Sequence, residues 1–400
     1  KQGCPLSMTL FALAMDPIIR YISTTIAPHN GIIRGYCDDL CITTQNLILT
    51  LRHTTAIFII IAHTGNLHLN STKTQILCIT HHGKKRLLEH INKHLPLLQN
   101  AQFTDAVLYL GMLIGPAAHL TQFSKPLRKY QSAVSYIRSL SLGLGASIPL
   151  YNTYAFPTLA WKASFVQPYS DTLIHEHKAL QLLTNGPYNA IPNDLLYNLK
   201  QLGLPTQAHS LQTVSIAARA RNALFTLTTY KDNITMLQLQ QTHDSATLNP
   251  PLQPWIDNSI TMHLHRAVLR TQPLLTQITD TNPQRQLAKL LLPQTHTINI
   301  HKLLTKRWTR FFVTDDLQPA IHNALHNLNR LSTMTKQCTL ISILKTWLYA
   351  WTTNNRFGNY NQACPLCNKP NSDTLRHFYN CHPLTAAAKH TLNQPHLPTT

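Results

Sequence analysis

Acidic residues are scarce in this chain: 15 Asp and Glu stand against 34 Lys and Arg in 400 residues, a formal net charge of +19. So basic a balance argues against an ordinary soluble enzyme and for a polyanionic partner. Nucleic acid is the expected one, with an anionic membrane surface a distant second. Unbroken apolar runs are short as well. The longest, Ala56 to Ala62, follows Arg52 and His53 and falls well below the ~20 residues of a spanning helix, so it reads as a buried helix and no membrane partner is expected. The 8 cysteines stand singly except for three near the C-terminus. That excludes a disulfide framework and favours a reducing compartment. No signal or transit-like segment is evident, and the chain opens on Lys1, the pattern expected of a fragment or of a chain that has lost an upstream part.

What is present begins with two adjacent carboxylates, Asp38 and Asp39, in Gly35-Tyr36-Cys37-Asp38-Asp39-Leu40-Cys41-Ile42. The β-formers Ile32, Ile33, Leu40 and Ile42 on either side predict a hairpin with both acids at its tip. A pair so placed can hold Mg²⁺ through oxygen ligands, and two such ions can clamp the attacking and leaving oxygens of a phosphoryl transfer. The plain alternative is a solvated Asp-Asp turn. Around the pair the pattern predicts a helix over Met8–Ile22 with Ser7 as N-cap, and a second over Leu47–Ala62 closed by Gly65. A polar turn through Asn70 and Lys73 then enters a strand at Ile76, and a last hairpin covers Val107–Gly115.

The middle of the chain reads as helical and basic. Lys125, Arg128, Lys129 and Arg138 accompany apolar Val134, Ile137 and Leu140 on a helix that Gly143 and Gly145 are expected to end. Ile148 to Val166 reads as an apolar face carrying Trp161 and Phe165. A break at Leu202-Gly203-Leu204-Pro205 starts a further helix through Arg219 and Arg221, and a joint at Pro250, Pro251 and Pro254 marks a boundary. Lys306, Arg307 and Arg310 surround Trp308, a mixture suited to phosphate contact and stacking, or to ordinary core for the indole. Near the C-terminus, Cys364-x2-Cys367-x9-His377-x3-Cys381 supplies four soft donors for a closed, structural zinc site, with His382 as an alternative fourth ligand.

Taken in order, Gln2-Gly3-Cys4-Pro5-Leu6-Ser7, Tyr36-Cys37-Asp38-Asp39, Gly65-x-Leu-x-Leu-Asn70-x-x-Lys73-Thr74 and Tyr109-Leu110-Gly111 resemble the reverse transcriptase domain of non-LTR retrotransposons. Leu344–Phe357, with Trp347, Trp351 and Arg356, and the Cys/His cluster after it are similar to the zinc-binding region downstream of the polymerase in those elements. The resemblance implies that Gln2 and Gly3 lie under the templating base and that Asp38 is a catalytic metal ligand with Asp39 its supporting neighbour. It places Lys73 on the pyrophosphate side, and Tyr109 to Gly111 against the primer. Lys125, Arg128, Lys129 and Arg138, with Lys306, Arg307 and Arg310, are the further candidates for nucleic-acid contact.

The expected fold class is α+β: a partial palm over 1–120, a helical thumb-like domain over 121–248, a helical connector over 249–335 and a zinc-knuckle region over 336–400. The family uses another aspartate on a strand before the Gln-Gly turn, and this chain begins at the turn, truncated before that residue. Asp16 is expected not to reach the metal site. The expectation is therefore a reverse-transcriptase-derived protein that has become a structural, RNA-binding component of a large ribonucleoprotein such as an organellar ribosome. Its polymerase site would be vestigial, its zinc structural, its partners a structured RNA and other proteins. Its compartment would be the mitochondrion, with the nucleus as alternative. The competing expectation is an RNA-directed DNA polymerase, using Mg²⁺, whose N-terminal half lies on another chain or was removed.

Overall fold

The computed structural model describes residues 6–78, 84–229, 257–278, 282–310, 316–354 and 361–392. Gln2, Gly3, Arg356 and the prolines of the expected joint at 250–254 lie outside them. The chain divides into two units, Lys1–Gln122 with Gln241–Ser259, and Phe123–Gln240 with Ile260–Thr400.

In the first unit α1 (Ser7–Ile26) starts one residue earlier than expected, with Leu6 as N-cap and no side-chain cap, so Ser7 is its first helical residue and not its cap. A 3₁₀ turn ending at left-handed Asn30 (φ 51°) leads into β1 (Ile32–Tyr36), which pairs antiparallel with β2 (Asp39–Thr43) from Ile32↔Thr43 to Tyr36↔Asp39. Helix α2 (Leu47–Gly65) is capped by Asn46, whose side chain accepts from the Leu49 N–H, and Asn66 (φ 51°) supplies the left-handed residue after it. Gly65 is thus the last helical residue. Ile22 and Ile26 of α1, Ile33 of β1, and Ile57 and Ile61 of α2 form one buried cluster.

Only one face of each of these helices is covered. Ile59 and Ile60 are 46% and 57% exposed, which corrects the buried-helix reading of Ala56–Ala62. By length and composition Ser7–His29 and Leu47–Gly65, with mean hydropathy 1.3 and 1.5, are each sufficient to cross a membrane. Ser and Thr interrupt the apolar stretches of α1, and Thr and His those of α2; α1 also carries the Asp16–Arg20 ion pair at 2.7 Å.

The rest of this unit is built from short strands. β3 (Gln75–Ile76), α3 (Lys84–His94) and β4 (Gln102–Phe103) follow, with β3 and β4 paired in parallel. Ile76, Leu87, Ile91, Leu95 and Leu98 close a second small core around them. β5 (Val107–Tyr109) and β6 (Met112–Ile114) form the expected hairpin. Its two-residue turn, Leu110 at φ 47° and Gly111 at φ 80°, has the pair of positive φ values that matches strand twist. A single helical turn, α4 (Ala118–Thr121), ends the run.

The second unit is helical. α5 (Ser124–Ser139) ends before the glycines expected to end it: Gly143 is the N-cap of α6 (Leu144–Leu150), and Gly145 lies inside that helix. A π-helical segment, Tyr151–Ala155, joins α6 directly to α7 (Phe156–Ala163). The inward residues are Leu144, Ile148, Tyr151, Ala155, Leu159 and Ala163, all at most 2% exposed, at spacings of three and four. Trp161 follows Leu159 by two positions, about 200° round the helix, and is 59% exposed. The expectation that Trp161 belongs to the apolar face is therefore corrected. The inward positions keep their spacing of three and four through the π-turn, and no residue-by-residue pattern announces that turn.

Among the described residues the remaining α-helices are α8 (Ser170–Leu183), α9 (Asn193–Tyr197), α10 (Leu211–Thr229), α11 (Ile260–Leu275), α12 (Pro283–Thr295), α13 (Ile300–Trp308), α14 (Gln318–Ser332), α15 (Gln337–Trp347), α16 (Leu375–Tyr379) and α17 (His382–Leu392). Ile216, Ala217 and Ala220 of α10 pack on Ala267 and Leu274 of α11 and on Leu287 and Leu291 of α12. The small residues on α10 let these helices approach closely. Ser210 caps α10 by accepting from the Thr213 N–H. It also meets His296 Nε2 at 2.6 Å, while His296 Nδ1 meets Asp194 at 2.9 Å. The order is that of a hydrolytic triad, but Ser210 is 2% exposed. The trio is a polar staple between α9, α10 and the end of α12.

Candidate carboxylate hairpin and metal centre

The β1–β2 register decides where the carboxylates stand. Tyr36 pairs with Asp39, so the turn itself is Cys37-Asp38 and Asp39 is the first residue of the returning strand. The expectation placed both acids at the tip; the structure puts Asp38 there and Asp39 one step down. Cys37 adopts φ 53°, a left-handed conformation that a non-glycine residue holds at a cost of ~1 kcal/mol or more. Both carboxylates are exposed. Among the described residues no ion pair engages either one, whereas Asp16 is engaged by Arg20. Two adjacent oxygen donors on a strained, solvent-facing turn fit a hard divalent cation that keeps waters of its own.

Tyr109, on β5, belongs to the same neighbourhood. Burial pushes its phenol above the usual range, and the charges of Cys41 and Asp39 push it further, which places the hydroxyl within electrostatic reach of the carboxylate strand. Burial also raises the Cys41 thiol. β5 is fixed in turn by Gln75, whose Oε1 accepts from the Leu108 N–H at 3.0 Å. Lys73 is exposed on a turn in which its N–H donates to Asn70 Oδ1 and the Thr74 N–H donates to the Asn70 carbonyl. That turn is tied to β4 by Gln102 Nε2 donating to the Thr72 carbonyl at 2.9 Å. Asp39 thus lies within electrostatic reach of Tyr109, and the Lys73 turn is tied to β4. Gln75 and Gln102 carry no motif signal; their role appears only once β3, β4 and β5 are neighbours. Gly111 is exposed at the tip of the β5–β6 hairpin.

Lys125, Arg128, Lys129 and Arg138 are exposed along α5, and Lys306 and Arg310 near the end of α13. Arg307 differs from them. Its guanidinium donates to the Asn189 and Ala190 carbonyls at 3.2 and 3.4 Å, and burial, then Arg310, lowers its pKa. Trp308 packs edge-to-face on Trp347, with centroids 5.8 Å apart.

At the other end of the chain, Cys364 and Cys367 bracket a tight turn in which the Asn368 N–H donates to the Cys364 carbonyl and the Leu366 N–H to Cys364 Sγ. Thr374 caps α16 by accepting from the His377 N–H, which sets the imidazole one turn into the helix. The ligand atoms of Cys364, Cys367, His377 and Cys381 lie within 4.8 Å of one another. Cys364 Sγ and Cys381 Sγ are 3.8 Å apart, and Cys367 Sγ lies 3.2 Å from His377 Nε2. Tetrahedral zinc with Zn–S of about 2.3 Å requires sulfurs about 3.8 Å apart, so the cluster can hold zinc. His382 is exposed as the first residue of α17 and stands outside the cluster. Asp373 anchors the approach to the knuckle by accepting from the Asn354 N–H at 2.7 Å.

Residues 1–114 match the reverse transcriptase (RNA-dependent DNA polymerase) family. The matched stretch contains the Asp38–Asp39 hairpin, the Lys73 turn and the Tyr109–Gly111 hairpin. No curated protein matches the chain.

Proposed function

We propose that this chain is part of an RNA-directed DNA polymerase of the non-LTR retrotransposon kind, with the β1–β2 hairpin as its metal-binding end. The observation that carries this reading is the pair Asp38 and Asp39. Both are solvent-facing and free of cationic partners among the described residues, on a turn that holds Cys37 at φ 53°. Two adjacent carboxylates left without a cation repel each other, and a divalent cation held between them relieves that repulsion. Mg²⁺, when bound there, supplies charge neutralisation and activation of the attacking oxygen. Asp38 and Asp39 orient the ion. Tyr109, stiffened by the bond from Leu108 to Gln75, holds the primer strand beside the carboxylates. Lys73 presents a cation for the leaving pyrophosphate. The cations of α5 and α13 take duplex phosphates, and the knuckle folds the C-terminal segment.

A second reading is that the chain holds structured RNA within a larger ribonucleoprotein, such as an organellar ribosome, and catalyses nothing. The excess of 34 cations over 15 acids supports it. Primer extension on an RNA template with Mg²⁺ or Mn²⁺ separates the two. Incorporation that Asp38→Asn abolishes supports the polymerase. No incorporation with either ion, together with tight RNA binding unaffected by Asp38→Asn, supports the structural role.

A further inference from the structure

We propose that Tyr154, Pro157 and Trp161 form a stacking surface for the bases of single-stranded nucleic acid, with the α5 cations Lys125 and Lys129 taking its phosphates. The inference does not depend on the carboxylate hairpin.

The geometry starts from the π-helical segment Tyr151–Ala155. It carries the fully buried Tyr151 inward and leaves Tyr154 64% exposed. Pro157 and Trp161 follow three and seven positions on, on the same outward side of α7, and Trp161 is 59% exposed. The two aromatic rings are separated by roughly 10 Å along the helix, room for bases on neighbouring or alternate nucleotides of an extended strand. Phe165 sits edge-on to Trp161, centroids 5.3 Å apart at 75°. That contact holds the indole from one side, while the residue stays 59% exposed. Each of these rings offers a large, flat apolar face. Two held outward on one helix face are a surface awaiting a flat, apolar partner.

Charge identifies the partner. α5, which carries Lys125, packs against α7, and Lys162, next to Trp161, has its pKa lowered first by burial and then by Lys125. Arg128 and Lys129 continue from Lys125 along the exposed side of α5, and Tyr136 follows at 67% exposed. Aromatic faces beside a row of cations are what sequence-tolerant binding of single strands requires: every base has a π-face and every nucleotide a phosphate. A base-paired duplex hides its base faces and cannot use the rings.

The test compares the full-length chain with its variants, measuring the affinity of a labelled oligouridylate and of an RNA duplex with the same number of phosphates over a range of salt. Trp161→Ala and Tyr154→Ala should each weaken the single strand by about 5- to 50-fold and the duplex by less than about twofold, with the salt slope unchanged. Trp161→Phe should keep most of the affinity. Lys125→Gln with Lys129→Gln should lower the single-strand salt slope by about 1.4, two phosphates' worth, while the Trp161 effect persists. Trp161 is exposed, so thermal unfolding of Trp161→Ala should match the parent. Single-strand affinity unchanged in Trp161→Ala would overturn the proposal and leave the rings as a protein-docking patch. An equal loss for strand and duplex would also overturn it, since stacking on unpaired bases would then not be the contact.

Discussion

Glu176 of α8 accepts a 2.7 Å hydrogen bond from the Leu211 N–H, at the first turn of α10, and is itself only 3% exposed. The phenol of Tyr151 approaches the same oxygen at 3.5 Å, and Tyr197 also bonds the carboxyl. Burial raises the Glu176 pKa from an ordinary 4.5 to about 7, opposed by those hydrogen bonds. The native chain therefore keeps a proton that the unfolded chain releases near the ordinary value. Stability from this group is fully present below the unfolded pKa and is lost as pH rises through the folded value near 7. Glu176→Gln should remove up to roughly 3 kcal/mol of the fall in stability between pH 5 and 8. Urea unfolding at the two pH values checks this; equal pH dependence in parent and variant would contradict it.

Removing a thiolate from the knuckle should unfold its segment. Cys364→Ser and Cys367→Ser should lose bound zinc and the amide exchange protection of residues 361–392, as should chelation of the parent. His382→Ala should keep one zinc per chain, because the four donors within 4.8 Å do not include it. Metal analysis with hydrogen exchange decides the matter, and zinc lost from His382→Ala would show that the ligand set is different.

Two glycines should respond in opposite ways to a methyl group. Gly115 has φ +134°, and a Cβ there would lie 2.5 Å from the Asp105 carbonyl oxygen and 3.1 Å from Leu77 Cδ1. Gly115→Ala should cost about 1–3 kcal/mol. Gly143, with φ −65° and nothing within 4 Å of an added Cβ, should tolerate alanine within about 1 kcal/mol. Denaturant midpoints of the two variants provide the comparison.

RNA affinity should fall steeply with salt, at a slope set by the number of phosphates neutralised. Lys306→Gln and Arg310→Gln should each reduce that slope. Arg307→Gln should instead destabilise the fold, because its guanidinium is engaged by the Asn189 and Ala190 carbonyls. A salt slope that falls with Arg307→Gln while stability holds would reverse this assignment.

What could be read from the chain was local. The Asp38–Asp39 hairpin, the Val107–Gly115 hairpin and the Cys364–Cys381 knuckle are each defined by residues less than two dozen positions apart, where turn chemistry and ligand spacing act directly. What escaped was set by distant packing. Tyr151 is buried against Glu176 from the π-turn at Tyr151–Ala155, and Trp161, two positions after the buried Leu159, faces outward despite its apolar character. β3 and β4 are two residues each and pair in parallel across α3, too short for any periodicity. Arg307 looks like a surface cation until the loop at Asn189 closes over it. Ser7 and Gly143 have the chemistry of a cap and a stop, but the helices begin and end where Leu6 and Ser139 place them.

The proposed polymerase function depends most on a divalent cation seated at the β1–β2 turn. With Fe²⁺ in place of Mg²⁺ and an RNA template–DNA primer bound, hydroxyl-radical cleavage of the chain, mapped by mass spectrometry, reports where the ion sits. Backbone cuts should cluster at Tyr36 to Leu40 and beside Tyr109, should fade as Mg²⁺ is added, and should vanish in Asp38→Asn with Asp39→Asn. Cleavage spread evenly over the chain, or cuts at the hairpin that survive loss of both carboxylates, would contradict a catalytic metal site there.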